Sequence, residues 1–234
     1  MSSSSPLERL RAQTDSYQKN AARLARWGGL SRDDVILRTA QERAFVELLA
    51  PIWKSLAGLS ILDVGCGSGR WLRWYLELGA DAESIEGVDV SDARFAEARG
   101  IHPTLSLRLI DGERLPFEDA SFDLVTQWVC FMCIPDEAWR RRMAREILRV
   151  LRPGGYLFWW DKPRANTDLT DGRAIDPARF FPSLRVERRP IRARGLPSEA
   201  LRWDWLRRRL GPALDRLAAP PTHLAARLGP KRGR

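Results

Sequence analysis

The sequence predicts a doubly wound α/β protein: a mostly parallel, seven-stranded sheet with helices on both faces and a helical lid. Three observations point there. Between residues 59 and 161, short apolar runs alternate with segments of helical period. A glycine-rich turn, Gly65-Cys66-Gly67-Ser68-Gly69, follows the first run. Polar side chains close four of the five runs. Strand and helix in alternation bury a parallel sheet on both faces.

Each element follows in order. From Asp33 to Ala50 the apolar positions Val35, Ile36, Phe45, Val46, Leu48 and Leu49 suit an amphipathic helix stopped by Pro51. "SILDVG" is a first strand, 68–79 a helix, "IEGVDV" a second strand and 91–99 a helix. "LSLRLID" and "FDLVTQWV" are the third and fourth strands, 136–150 is a helix with an arginine-rich polar face, and "GYLFWWD" is the fifth strand. Beyond 161 the alternation weakens. "SLRVERRPI" is expected as a strand, 197–218 as a helical insertion and 222–228 as a last strand. This divides the chain into a helical cap and lead-in (1–58), a ligand-binding core (59–161) and a C-terminal part (162–234) that completes the sheet and carries the lid.

Composition narrows the function classes. The 234 residues suffice for one well-buried domain, with 44% apolar and 29% charged residues. No apolar stretch reaches the roughly 18 residues of a membrane span, so a cytoplasmic protein is expected. The three cysteines are too few for a disulfide framework. Cys130-x-x-Cys133 lies in the apolar run "WVCFMCI", and neither His102 nor His223 stands at ligand spacing from it. The pair is expected to pack as small hydrophobes, with no metal. Residues 161–234 hold 18 Lys/Arg against 8 Asp/Glu, a basic surface open to an anionic partner or simply solvated.

In open α/β sheets the ligand lies beyond the carboxyl ends of the strands, where strand order reverses. The residues there are Gly65 to Gly69, Asp89, Asp111, Gln127 and Asp161. Glycine lets backbone approach a ligand closely and adopt positive φ. A dinucleotide fingerprint would need a glycine at position 70, where Arg70 stands. Asp89, 24 residues after Gly65, is at the distance from which a second-strand carboxylate accepts hydrogen bonds from a ribose diol. Ser91 is better placed than Asp89 to cap the following helix. A nucleoside ligand is expected.

"ILDVGCGSGRWL", "IEGVDVS", "DGERLPFEDASFDLVTQ" and "EILRVLRPGGYLFWWD", in that order, resemble the class I S-adenosylmethionine-dependent methyltransferases, in particular the small-molecule branch called methyltransferase type 11. The resemblance covers 59–161 and implies a Rossmann-like fold. It implies that Asp63, Gly65, Cys66, Gly67 and Gly69 cradle the methionine part of the cofactor and that Asp89 holds the ribose. Val90 would pack on the adenine, Asp111, Gly112 and Glu113 would line its edge, and Gln127 would face the sulfonium. Tyr17, in "YQKNAARLARW", resembles an aromatic that closes over the cofactor. Asp123 and Arg152-Pro153-Gly154-Gly155 are expected to be structural.

The cofactor brings its own activated methyl group, so the protein has mainly to orient an acceptor and exclude water. An aliphatic hydroxyl acceptor also needs a base. Asp161, at the end of the fifth strand, and His223, beside the last strand, are the candidates. His102 is expected away from the site. Of the ten tryptophans most are expected in the core, with two or three of Trp128, Trp159, Trp160, Trp203 and Trp205 at the pocket. The ending "THLAARLGPKR" resembles that of some methyltransferases of glycan or secondary-metabolite pathways. O-methylation of a small-molecule acceptor, a natural product or sugar hydroxyl, is therefore the expected function, with S-adenosylhomocysteine as product. N- or C-methylation and a non-catalytic cofactor-binding role stay open. Against a nucleic-acid substrate, the place after the fourth strand reads Gln127-Trp128-Val129-Cys130, not the Asn/Asp-Pro-Pro-aromatic run of base-amine methyltransferases. The sequence leaves the oligomeric state open.

Overall fold

The structure, a computed structural model, describes residue 5 and residues 7–12, 31–162, 175–191 and 223–230. The helix α1 (Arg32–Leu49) ends where Ala50 N closes on Val46 O, one residue before Pro51. Its buried stripe is Gln41, Ala44, Phe45, Leu48 and Leu49, a spacing of three and four residues. Val35 and Val46 had been expected on that stripe but are 38% and 45% exposed, because helical period places them on the opposite side.

The core follows as β1 (Ile61–Val64), α2 (Arg70–Glu77), β2 (Ile85–Asp89), α3 (Asp92–Ile101), β3 (Ser106–Leu109), β4 (Phe122–Trp128), α4 (Glu137–Val150) and β5 (Leu151–Asp161). A short helix α5 (Pro177–Phe180) and the strands β6 (Arg185–Ile191) and β7 (His223–Gly229) complete the described elements. The seven strands lie in the order β3-β2-β1-β4-β5-β7-β6. Pairs from β3 to β5 are parallel, and β7 runs antiparallel to both β5 and β6. The doubly wound sheet read from the sequence is therefore observed. The helical insertion expected at 197–218 lies outside the described residues.

Each face of the sheet has its own core. One packs Leu62, Val64, Val125, Leu157 and Trp159 beneath α4. The other packs Ile61, Leu72, Leu124, Phe158 and Trp160 beneath α1, α2 and α3. Asp136 caps α4, its Oδ1 accepting from Trp139 N at 2.7 Å, and Ser91 Oγ caps α3 by accepting from Arg94 N at 3.3 Å. The arginines of α4 are not all on its polar face. Arg140 is 1% exposed and donates from Nε to Phe131 O (3.1 Å) and from Nη2 to Ile134 O (2.8 Å).

β5 begins earlier than its apolar run suggests. Leu151 already pairs with Phe122, and the register then shifts so that Leu124 faces Tyr156. The segment expected to be structural, Arg152-Pro153-Gly154-Gly155, is absorbed as an irregularity within the strand, with Gly154 at φ +86°. Asp123 Oδ2 ties it down by accepting from Arg152 Nη1 (2.6 Å) and Ser60 N (3.0 Å). No helix among the described residues is long and apolar enough to cross a membrane.

Candidate cofactor and acceptor site

Strand order reverses between β1 and β4, and the glycine turn leaves β1 at that point. Gly65 N and Cys66 N both donate to Val88 O, at 2.8 and 3.0 Å, folding the turn toward β2. Gly65, Gly67 and Gly69 stand at φ +76°, +57° and +76°. A Cβ on Gly65 would lie 3.0 Å from Cys130 Cβ and Sγ, so only glycine lets the turn pass beneath the segment after β4. Cys66 turns its side chain into the core, where burial pushes its thiol well above the usual range. It therefore offers backbone only.

Asp63 lies just before this turn and is fully buried. Its Oδ1 accepts from Thr126 Oγ1 at 2.8 Å, while Oδ2 has no partner among the described residues. Burial, opposed by the Thr126 hydroxyl and aided by the charge of Asp89, pushes its carboxyl up to about 7. Asp89 grips the turn from β2, Oδ2 accepting from Gly67 N (2.8 Å) and Oδ1 from Ser91 N (2.9 Å). Each oxygen retains a second acceptor direction. Next to it, Val90 is partly buried, and its carbonyl accepts from Arg11 Nε at 2.8 Å, so helical residues 7–12 lie over the end of β2.

The remaining expected residues separate into two groups. Asp111 is exposed and caps its own loop by accepting from Glu113 N at 2.9 Å. Gly112 is buried beside Val90, and its carbonyl accepts from Trp139 Nε1 at 2.6 Å. Glu113 is exposed and meets Arg142 Nη2 at 3.3 Å. Of these three, Gly112 borders Val90, while Asp111 and Glu113 are exposed on the same loop.

Gln127 and Asp161 form the second group, at the carboxyl ends of β4 and β5. Gln127 is fully buried, its Nε2 donating to Trp160 O (3.2 Å) and its Oε1 accepting from Cys130 N (2.9 Å). Asp161, also fully buried, accepts from Met132 N on Oδ2 (3.1 Å) and from Lys162 N on Oδ1 (3.0 Å). Arg140 holds the carbonyls of the same turn. The 130–134 turn is thus clamped from three sides against the glycine turn. Val129, which leads into it, sits at φ +63°, a strained value for a β-branched residue. Burial raises the Asp161 carboxyl to about 8, against backbone donors and Arg140 that lower it.

His223 opens β7 one residue before Leu224, the partner of Asp161, so its backbone lies at the same end of the sheet. Tyr17, Trp203 and Trp205 lie outside the described residues. Trp128, Trp159 and Trp160 are all buried, the first stacked on Trp71 at 3.8 Å and 11°. His102 was expected away from the site, but its Cδ2 is 3.3 Å from where a Cβ on Gly69 would stand. The end of α3 brings it behind the turn. Sequence reading missed Arg11, Tyr75, Thr126 and Arg140, whose roles depend on partners distant in the chain or on burial inside an arginine-rich segment.

The two raised carboxyls make the fold pH-sensitive. Both hold protons in the folded state that they release near pH 4 when unfolded. Their contribution is fully present below that range and is lost as pH rises through about 7 and 8. Thermal melts of the protein without cofactor should show the melting temperature falling from pH 5 to 8, with stability dropping by on the order of a few kcal/mol. Asp63→Asn should flatten this slope. A melting temperature that climbs across the window would show these carboxyls ionised in the fold.

The region that builds this geometry is similar in sequence to known methyltransferases. Residues 61–155 match a family model described as a methyltransferase domain. The phthiotriol/phenolphthiotriol dimycocerosates methyltransferase of Mycobacterium tuberculosis is 33% identical over 168 residues, 70% of this chain and 60% of that protein. Methyltransferase GfsG of Streptomyces halstedii is 37% identical over 108 residues, 43% of this chain and 37% of that protein. The chain therefore aligns with less than two thirds of these relatives' own length. The crystal structure of an S-adenosylmethionine dependent methyltransferase from Mesorhizobium loti shares the fold, with a TM-score of 0.56 at 20% identity over 81% of this chain and 99% of that one.

Proposed function

We propose that the chain transfers a methyl group from S-adenosylmethionine to a hydroxyl of a small-molecule acceptor, a natural product or a sugar. The observation that carries the choice of hydroxyl is Asp161. It is a buried carboxyl raised to about 8 at the carboxyl end of β5, suited to receive a proton near neutral pH. The named acceptors of the Mycobacterium tuberculosis relative, phthiotriol and phenolphthiotriol dimycocerosates, support a hydroxyl-bearing substrate.

The residues present suit the cofactor. Asp63 Oδ2 is a buried acceptor without a partner among the described residues, matched to an ammonium group, and it stands just before the positive-φ glycine turn. Cys66, Gly67 and Gly69 offer that group backbone. Asp89 offers its remaining acceptor directions to a ribose diol, Val90 offers an apolar surface to the base, and Gly112, Asp111 and Glu113 border its edge. S-adenosylmethionine, when bound, supplies an electrophilic methyl carbon and leaves as S-adenosylhomocysteine. Asp161 takes the proton of the acceptor hydroxyl as the new C–O bond forms, with His223 as the second candidate for that task. Gln127 holds the 130–134 turn beside the transfer path.

Incubation with S-adenosylmethionine and parallel sets of polyol, phenol, sugar and amine acceptors tests this reading. S-adenosylhomocysteine should accumulate with hydroxyl acceptors. Release with amines alone would overturn O-methylation, and failure to bind S-adenosylmethionine at all would overturn the methyltransferase reading.

A further inference from the structure

The Asp63 carboxylate is the last member of a buried chain of donors that neither the fold nor the family resemblance explains. Trp128 Nε1 donates to Tyr75 Oη at 2.7 Å. Tyr75 Oη donates to Thr126 Oγ1 at 3.0 Å, and Thr126 Oγ1 donates to Asp63 Oδ1 at 2.8 Å. Tyr75, Thr126 and Asp63 are 0% exposed and Trp128 is 7% exposed. Three elements supply the chain: α2 gives Tyr75, β4 gives Thr126 and Trp128, and β1 gives Asp63. With Asp63 ionised the chain runs toward the carboxylate, the nearer acceptor for Thr126 Oγ1, which also lies 3.4 Å from Leu62 O. The indole N–H can only donate, each hydroxyl carries a single proton, and an ionised carboxylate can only accept. Hydrogen bonds in such a series polarise one another, and their effect is strongest away from water.

We propose that Tyr75 and Thr126 are positioning residues that orient Asp63 and favour its ionised form, so that its free Oδ2 receives the ammonium group at the amino-acid end of the cofactor. This inference rests on the S-adenosylmethionine reading above and adds two residues to it. Thr126 occupies Oδ1, which leaves Oδ2 as the one open acceptor of a fully buried group. A carboxylate in that setting is costly unless it is paired, and the relay supplies part of the compensation before any ligand arrives. The groups facing Asp63 otherwise oppose its charge. Asp89 on β2 raises its pKa, and Asp63 in turn raises the thiols of Cys66 in the glycine turn and Cys130 after β4. The Tyr75 phenol, pushed well above its usual range by burial, stays protonated and remains a donor throughout the working pH range.

The test is the pH dependence of ligand affinity, measured by calorimetry on the full chain from pH 5.5 to 9. Two probes are used: S-adenosylmethionine and 5′-methylthioadenosine, which lacks the amino-acid end. For the wild type, affinity for S-adenosylmethionine should fall as pH drops through about 7, while methylthioadenosine should show no such fall. Thr126→Val should weaken S-adenosylmethionine binding about tenfold at pH 7 and move the midpoint up by about one pH unit. It should leave methylthioadenosine affinity unchanged. Tyr75→Phe should move the midpoint the same way by less, and Thr126→Ser, which keeps the hydroxyl, should restore wild-type behaviour.

Equal losses for both probes would mean that Thr126 is only a packing residue and would overturn the relay. So would a Thr126→Val profile that matches the wild type, with the cofactor reading left standing. A wild-type protein that binds methylthioadenosine but not S-adenosylmethionine, or neither, would overturn the reading and the relay together.

Discussion

Asp89→Ala is expected to weaken S-adenosylmethionine binding about 10³-fold. Two losses combine. The carboxylate's free acceptor directions would take two ribose hydroxyls, and hydrogen bonds to a charged group contribute roughly 1.5–3 kcal/mol each. The same oxygens also accept from Gly67 N at 2.8 Å and Ser91 N at 2.9 Å, so alanine releases the glycine turn from β2. Calorimetry reports the affinity, and urea unfolding separates the two effects. Asp89→Asn, which keeps one carbonyl acceptor, should recover part of the fold's stability but little of the affinity, because an amide cannot accept from both ribose hydroxyls and the turn. Unchanged affinity in Asp89→Ala would remove the ribose assignment.

The features that were legible in the sequence are those written into adjacent residues. Gly65-x-Gly67-x-Gly69 after an apolar run specifies a strand leaving into a positive-φ turn. Ser91 and Asp136 announce helix starts that the structure uses. The aspartate at the end of the second run reaches back to the first turn because parallel neighbours bring Val64 beside Val88. Other features hinge on partners far apart in the chain. Tyr75, Thr126 and Trp128 look like ordinary core residues until the fold brings α2 against β4, 51 to 53 positions away. Arg140 stands in "WRRRMAR", where helical period turns one arginine inward and leaves its neighbours in water. The early start of β5 was hidden because Pro153 and two glycines mark a turn locally, while pairing of Leu151 with Phe122 extends the strand through them. Val35 and Val46 were assigned inward by their hydrophobicity alone, although a stripe through Phe45 and Leu48 leaves no room for them.

Asp161→Asn should reduce kcat about 10³-fold with hydroxyl acceptors, within the roughly 10²–10⁴ range of a general base. The pH profile carries the argument. With a carboxyl raised to about 8, only the ionised fraction can take the hydroxyl proton, so wild-type kcat should rise with pH and level off above about 8. Asparagine cannot ionise, so the variant's residual rate should lack that limb. A positioning role predicts otherwise. Asp161 accepts from Met132 N and Lys162 N, and Asn can satisfy only one of these with its carbonyl, so a purely structural aspartate would show disturbance of the 130–134 turn. That disturbance would raise the acceptor KM and lower stability while leaving the rising limb intact. If the limb survives in Asp161→Asn and disappears in His223→Gln, the base is His223, whose strand begins beside the same end of β5. Phenol acceptors give an internal control. A phenol ionises far more readily than an aliphatic alcohol, so the loss in Asp161→Asn should shrink as the acceptor's own pKa falls.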